Sequence, residues 1–223
     1  MAKKSDVVLK LAAAFDHMVS ITMYSTLTLV GGLLAAAYLG NLNGNLVNAL
    51  RSALSDAKTN LEDWIKQISD NSWFAKDVPT YFLARGGSQA SCYETRLLWE
   101  EAAKAPATAI TTGVFRHGPQ EVMSNDLRIG MWIDQKILRN EDLSLAKDLQ
   151  HSGAKVLLIG KNISPDAGDL VMNIPETPPG WQFLVDIIPA QICSEYLSRL
   201  RGEDCDDFKY CPYIIENEGG LLT

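Results

Sequence analysis

Two glutamates, one histidine and a glycine-rich turn are the groups in this 223-residue chain whose spacing admits chemistry. Glu94 and Glu101 stand seven positions apart in a stretch, Gln89 to Lys104, whose composition reads as a helix. Seven residues make two turns, so both side chains project from one face, while Glu100 points about 100° away. A carboxylate leaning into a cleft from such a face can move a proton between C1 and C2 of an open-chain sugar. Carboxylates on a helix are otherwise simply solvated. Arg116-His117-Gly118-Pro119 sets an imidazole, which titrates near neutral pH, between a cation and two residues that fix chain direction. A structural loop histidine is the alternative there. Arg85-Gly86-Gly87-Ser88 lets the backbone approach a ligand, and the helix start that follows favours an anion. A tight turn without a ligand accounts for it equally well. His17 and His151 have no such context and read as surface or packing residues.

The elements that must hold these groups follow from periodicity. Beyond about residue 80, strand and helix patterns alternate. Tyr81–Ala84, Ala107–Thr112, Arg128–Ile133, Lys155–Gly160 and Leu170–Ile174 read as strands, Gln89–Lys104, Asp142–Ser152 and Phe183–Leu200 as helices. Short connections between them predict a mostly parallel sheet covered on both faces, an α/β fold of three layers. Before the polar, proline-ended segment Asp70–Pro79, the pattern differs. Asp6–Leu11 is a β-branched run that reads as a strand. Thr26–Leu39 reads as a helix apolar nearly all round, expected to be buried, and Leu46 to Ile68 as an amphipathic helix. The stretch from Met18 to Leu50 carries no charge, but polar residues and Gly31-Gly32 interrupt it, so a packed helix is preferred to a membrane span.

Composition narrows the partners. Hydrophobic residues make up 47% and charged residues 21%, an ordinary globular balance, and the net charge of −7 argues against nucleic acid. Cys92, Cys193, Cys205 and Cys211 form no C-x-x-C pair and have no histidine cluster beside them. Reduced thiols in the cytoplasm are expected, and neither a metal site nor a cofactor.

Leu83 to Pro119 (LARGGSQASCYETRLLWEEAAKAPATAITTGVFRHGP) resembles the opening of a second sugar-isomerase (SIS) domain of the kind found in glucosamine-6-phosphate synthases and related phosphosugar isomerases and deglycases. The spacing from the glycine loop through the glutamates to His-Gly-Pro is the same, without a gap. The first seventy-odd residues resemble the end of a preceding SIS domain, with Val19-Ser20-Ile21-Thr22 where the family has a turn lining the sugar pocket. The resemblance implies a remnant of one SIS-like unit over residues 1–75, with a strand and linker helices. It implies a second SIS domain over 76–223, whose tail folds back over the active site.

It further implies a hexose 6-phosphate as substrate, fructose-6-phosphate or an amino-sugar phosphate. Glu101 would be the base for the aldose–ketose shift and His117 the ring-opening acid/base. Val19, Ser20, Gly86, Ser88, Glu94 and Tyr213 would line the sugar, in a site shared across a homodimer. Two positions that carry lysine in the synthases hold Leu98 and Tyr213 here, the Ser/Thr phosphate cradle of the family's first SIS domain is not found, and the corresponding strand of the second leads into Asp134-Gln135-Lys136. A sugar-phosphate-binding or dimerisation module without turnover is therefore the competing expectation.

Overall fold

The computed structural model describes residues 4–210 and 215. A five-stranded sheet, parallel throughout, is built from β1 (Thr80–Ala84), β2 (Thr108–Thr111), β3 (Arg128–Ile133), β4 (Lys155–Gly160) and β5 (Leu170–Asn173). Its order is β2-β1-β3-β4-β5. After β2 the chain crosses back over β1, so the winding reverses between β1 and β3. In open α/β sheets that point, at the carboxyl ends of the strands, is where ligands settle.

Alternate strand residues face opposite ways and define two cores. Phe82, Ala84, Trp132, Leu157, Ile159 and Met172 belong to one, and Leu83, Ile129, Met131, Ile133, Val156 and Leu158 to the other. The first core is roofed by α2 (Gly44–Ser69), α3 (Gln89–Glu101), the short α6 (Phe183–Asp186) and α7 (Ile188–Arg201). The second lies under α4 (Thr112–Arg116), through Phe115, and α5 (Arg139–His151), through Leu145, Ala146 and Leu149. The three-layer α/β arrangement expected from sequence is thus present.

Helix α2 buries Leu50, Ala53, Ala57, Trp64 and Ile68, one stripe at three- and four-residue steps. Its start is capped by the Asn43 side chain, which accepts from Leu46 N at 3.0 Å. Indole groups fasten it and the following segment to the sheet. Trp64 Nε1 donates to Asn173 O at 3.2 Å and Trp73 Nε1 to Lys155 O at 3.0 Å. The helix therefore shares the sheet's own core.

Three expectations need correction. Asp6–Leu11 forms no strand, and Val7, Val8 and Leu9 lie exposed. A β-branched run becomes a strand only where a sheet edge supplies hydrogen bonds, and it pairs with none here. Helix α1 (Thr22–Tyr38) buries only Ala36 fully, although Thr26–Leu39 was expected at the centre of a core. Tyr24, Leu29 and Leu33 pack inward, and Gly32 lies so near Trp181 that a Cβ there would meet its ring at 2.7 Å. The outer face, with Leu27, Leu34 and Tyr38, is uncovered by any described residue. Finally, the long helix expected over Phe183–Leu200 is split at Ile187 into α6 and α7. Pro189 has no N–H for a helical bond, and its ring collides with the carbonyl four residues back.

No helix among the described residues is long and apolar enough to cross a membrane.

Candidate functional site

The glycine loop after β1 begins with Arg85, whose guanidinium turns away to Asp142 on α5, with Nε 2.9 Å from Oδ1. Gly86 then takes φ +55°, a left-handed conformation that glycine adopts without a Cβ penalty. Ser88 follows, buried, and α3 starts at once. Along one stripe of α3 run Ser91, Glu94, Leu98 and Glu101, spaced by three or four residues.

The lower half of that stripe is covered from the N-terminal side. Buried Val19 packs with Leu98 and Ala102. The turn carrying Val19 is set by Asp16, whose carboxylate accepts from Thr22 N at 3.0 Å and Met23 N at 2.6 Å at the start of α1. Ser20 beside it is exposed. An apolar cleft of about 390 Å³ opens next to this contact, lined by Val19, Ile21, Ala102, Ile192, Tyr196 and Cys205 among others.

Glu94 and Glu101 are both partly buried on this face. Burial, and after it the charge of Glu101, pushes the Glu94 carboxyl up to about 7. Glu101 is raised by burial and then by Glu100, with Arg96 and Lys104 opposing. Glu100 points away and pairs with Arg96 at 2.5 Å. Neither glutamate lines the apolar cleft, but a carboxyl raised above the ordinary range has the character of a general base near neutral pH.

His117 lies elsewhere. It caps α4 and is exposed, and α4 packs through Phe115 into the core on the opposite face of the sheet from α3. Glu101 and His117 therefore stand on elements that cover opposite faces. Within one copy they are not brought together. Tyr213 lies outside the described residues.

Gly86 and Ser88 fall at a third place, the switch-point crevice between the carboxyl ends of β1, β3, β4 and β5. Ser88 and Gly87 line it with Asp134, Lys136, Lys161, Thr177 and Gln182, around a volume of about 420 Å³. Neither Glu94 nor Glu101 lines it. At its floor is a group that sequence reasoning missed, Asp186. Its carboxylate is fully buried and accepts from Ser88 Oγ at 2.7 Å and Ser91 Oγ at 2.5 Å, while its backbone carbonyl accepts from Trp132 Nε1 at 3.1 Å. Burial lifts its pKa to about 7, and the two serines pull the other way. Buried acids without a cation are rare. The signal was available in the sequence as a lone acid inside the apolar run FLVDII.

Among the described residues, Asp204, Cys205 and Asp206 bring three ligand-type atoms within 4.8 Å of one another. They sit at the surface, where acidic groups gather without an ion.

Comparison with known proteins gives this architecture a family context. No family model matches the chain. The glutamine–fructose-6-phosphate aminotransferase (isomerizing) of Symbiobacterium thermophilum is 24% identical over 217 residues, which is 92% of this chain and 36% of that protein. A solved glucosamine-6-phosphate deaminase from Thermotoga maritima superposes with a TM-score of 0.72 at 21% identity, over 96% of this chain and 62% of that one. The C-terminal domain of the Francisella tularensis glucosamine-fructose-6-phosphate aminotransferase does so at 0.71 and 20%, over 87% and 58%. The chain has the sugar-isomerase (SIS) fold. It spans about a third of the length of the curated relative it matches. The helix face carrying Glu94 and Glu101 is thus separate from the crevice above Asp186, which neither glutamate lines.

Proposed function

We propose that this chain contributes to aldose–ketose isomerisation of a hexose 6-phosphate, with Glu101 as the proton-transfer base and His117 as the ring-opening group from a second copy. On this reading residues 1–75 are the end of one SIS-like unit and residues 76–223 a second. His117 takes the proton of the ring hemiketal hydroxyl and delivers it to the ring oxygen as the ring C–O bond breaks, so the proton count is unchanged. Glu101 then removes a proton from C1 of the open ketose and returns it to C2, the electron pair passing through an enediol in which the oxygens exchange one proton. Val19, Ser20 and Glu94 border the reacting carbons, and Gly86, Ser88 and Tyr213 are further candidates for binding the sugar.

The observation that carries this reading is the carboxylate pair Glu94–Glu101, partly buried on the helix face whose Leu98 packs against Val19, and shifted upward by burial. A solvated glutamate pair would have neither property. The opposed placement of Glu101 and His117 supports a site completed across a two-fold interface, in which the His117 of each copy meets the Glu101 of the other.

Replacing Glu101 with Gln keeps the shape and the hydrogen-bonding oxygen but removes the base. Isomerisation, followed by loss of deuterium from C2 or C1, is expected to fall at least about a hundredfold, with binding of the sugar phosphate little changed. Equal turnover in the variant would refute the assignment.

A second reading, a sugar-phosphate-binding or dimerisation module without turnover, is favoured by one observation. Leu98 is buried where the synthases carry a lysine, so the stripe offers no ammonium between its two carboxylates. It predicts thermal stabilisation by hexose phosphates with no proton exchange.

A further inference from the structure

We propose that the outer face of α1 is a docking surface for a second copy of this chain, the two α1 helices packing antiparallel about a two-fold axis beside Val30 and Gly31. The contact contains neither Glu101 nor His117, and it does not rest on the turnover reading.

Helix α1 has two apolar faces, and the described residues cover only one. Tyr24, Leu29 and Leu33 pack inward, Ala36 is buried, and Gly32 lies against Trp181. Met23, Leu27, Val30, Leu34 and Tyr38 follow one another at steps of four, three, four and four. At about 100° per residue, these five side chains leave the helix within about 40° of one line, opposite Gly32 and Ala36. Four of the five are exposed, Met23 by 38%, Leu27 by 53%, Leu34 by 51% and Tyr38 by 92%. Large apolar residues at three- and four-residue steps, on the far side of a helix already packed, form the seam of a helix pair.

Charge narrows what can cover that seam. No charged residue occurs from Met18 to Leu50. A charged partner would find no counter-charge there, whereas an apolar one buries no ion. Over the rest of the surface a net charge of −7 on each copy opposes association. Along α1 two copies meet without like charges.

The order of the side chains selects a second copy. Reversing the helix against itself about the midpoint of the seam sets Met23 opposite Tyr38, Leu27 opposite Leu34, and Val30 opposite Gly31. Large residues then meet large ones away from the axis, and at the axis the valine meets a residue with no side chain. Gly31 is exposed, and a Cβ there would touch nothing within 4 Å. That opening receives the partner's Val30 and lets the helix axes come to roughly 8 Å, the near end of the usual range. A two-fold contact requires a surface that complements itself in this way.

The test is sedimentation velocity of the full chain at micromolar concentration. Leu34→Glu changes an exposed position but buries an unpaired carboxylate against the partner's Leu27, twice in each pair. Its mass is expected to fall to half that of the unaltered chain, with the self-association Kd raised at least about a hundredfold. Leu27→Lys should do the same from the other side. Mixed in equal amounts, the two variants should associate again, because the new carboxylate of one faces the new ammonium of the other while the second contact remains leucine on leucine. Misfolding cannot produce that recovery. The proposal is overturned if the unaltered chain is a monomer, if Leu34→Glu keeps its mass, or if the mixture stays apart. Flotation of the unaltered chain with neutral phosphatidylcholine vesicles, in place of self-association, would give the seam to lipid and overturn it too. Mass is read without turnover, so each result leaves the Glu101 test standing.

Discussion

A carboxyl group sealed away from water is most stable when it keeps its proton, and Asp186 is so placed. Its folded pKa, about 7, lies above the usual 3.8, so between those values the folded chain binds more protons than the unfolded one. The stabilisation from this group is complete below about pH 4 and is lost as pH rises through about 7. Glu94, raised to about 7, and Glu101 act in the same direction, weakened by their contact with solvent. The thermal midpoint is therefore expected to fall between pH 4 and 7, and Asp186→Asn to flatten that fall. A midpoint that climbs with pH, or the same slope in the variant, would show that Asp186 is ionised throughout. At this scale the sequence was readable in part. Helical spacing put Glu94 and Glu101 on one face, and the effect of the Glu101 charge on Glu94 agrees. Asp186 was overlooked because nothing in a local pattern tells that Ser88 and Ser91, nearly a hundred residues away, will fold onto it.

Elements were legible where one physical force dominates. The strands Arg128–Ile133 and Lys155–Gly160 match their expected bounds, because a strand covered on both faces is a continuous apolar run that nothing competes to claim. The run at Asp6–Leu11 has the same local character and forms no strand, since pairing depends on an edge that sequence does not reveal. The break before α7 could have been read from Pro189. Helix α2 depends more on its start than its length suggests. Its first N–H groups have the Asn43 cap, and Asn43→Ala should cost about 1 kcal/mol in a denaturant titration with an unchanged slope. A loss below about 0.3 kcal/mol would mean that the packing of Trp64 and Ile68 alone fixes that helix.

For the whole molecule, the expected sheet and its two helical layers formed, but the placement of the candidate residues did not follow from spacing. Spacing along the chain does not tell that α3 and α4 lie on opposite sides of the sheet; only the family resemblance, with its site shared between two copies, implied that Glu101 and His117 act from different chains. That separation keeps the two groups apart within one copy, and the proposed two-copy site has a consequence that can be measured. The chains Glu101→Gln and His117→Ala are each expected to be inactive. Unfolded and refolded together, they should form mixed dimers in which one site joins an intact Glu101 to an intact His117. Isomerisation should then return to about a quarter of the unaltered rate, as random pairing of two copies requires. If the mixture stays as inactive as its components, or if either variant alone turns over sugar phosphate normally, the shared site does not exist.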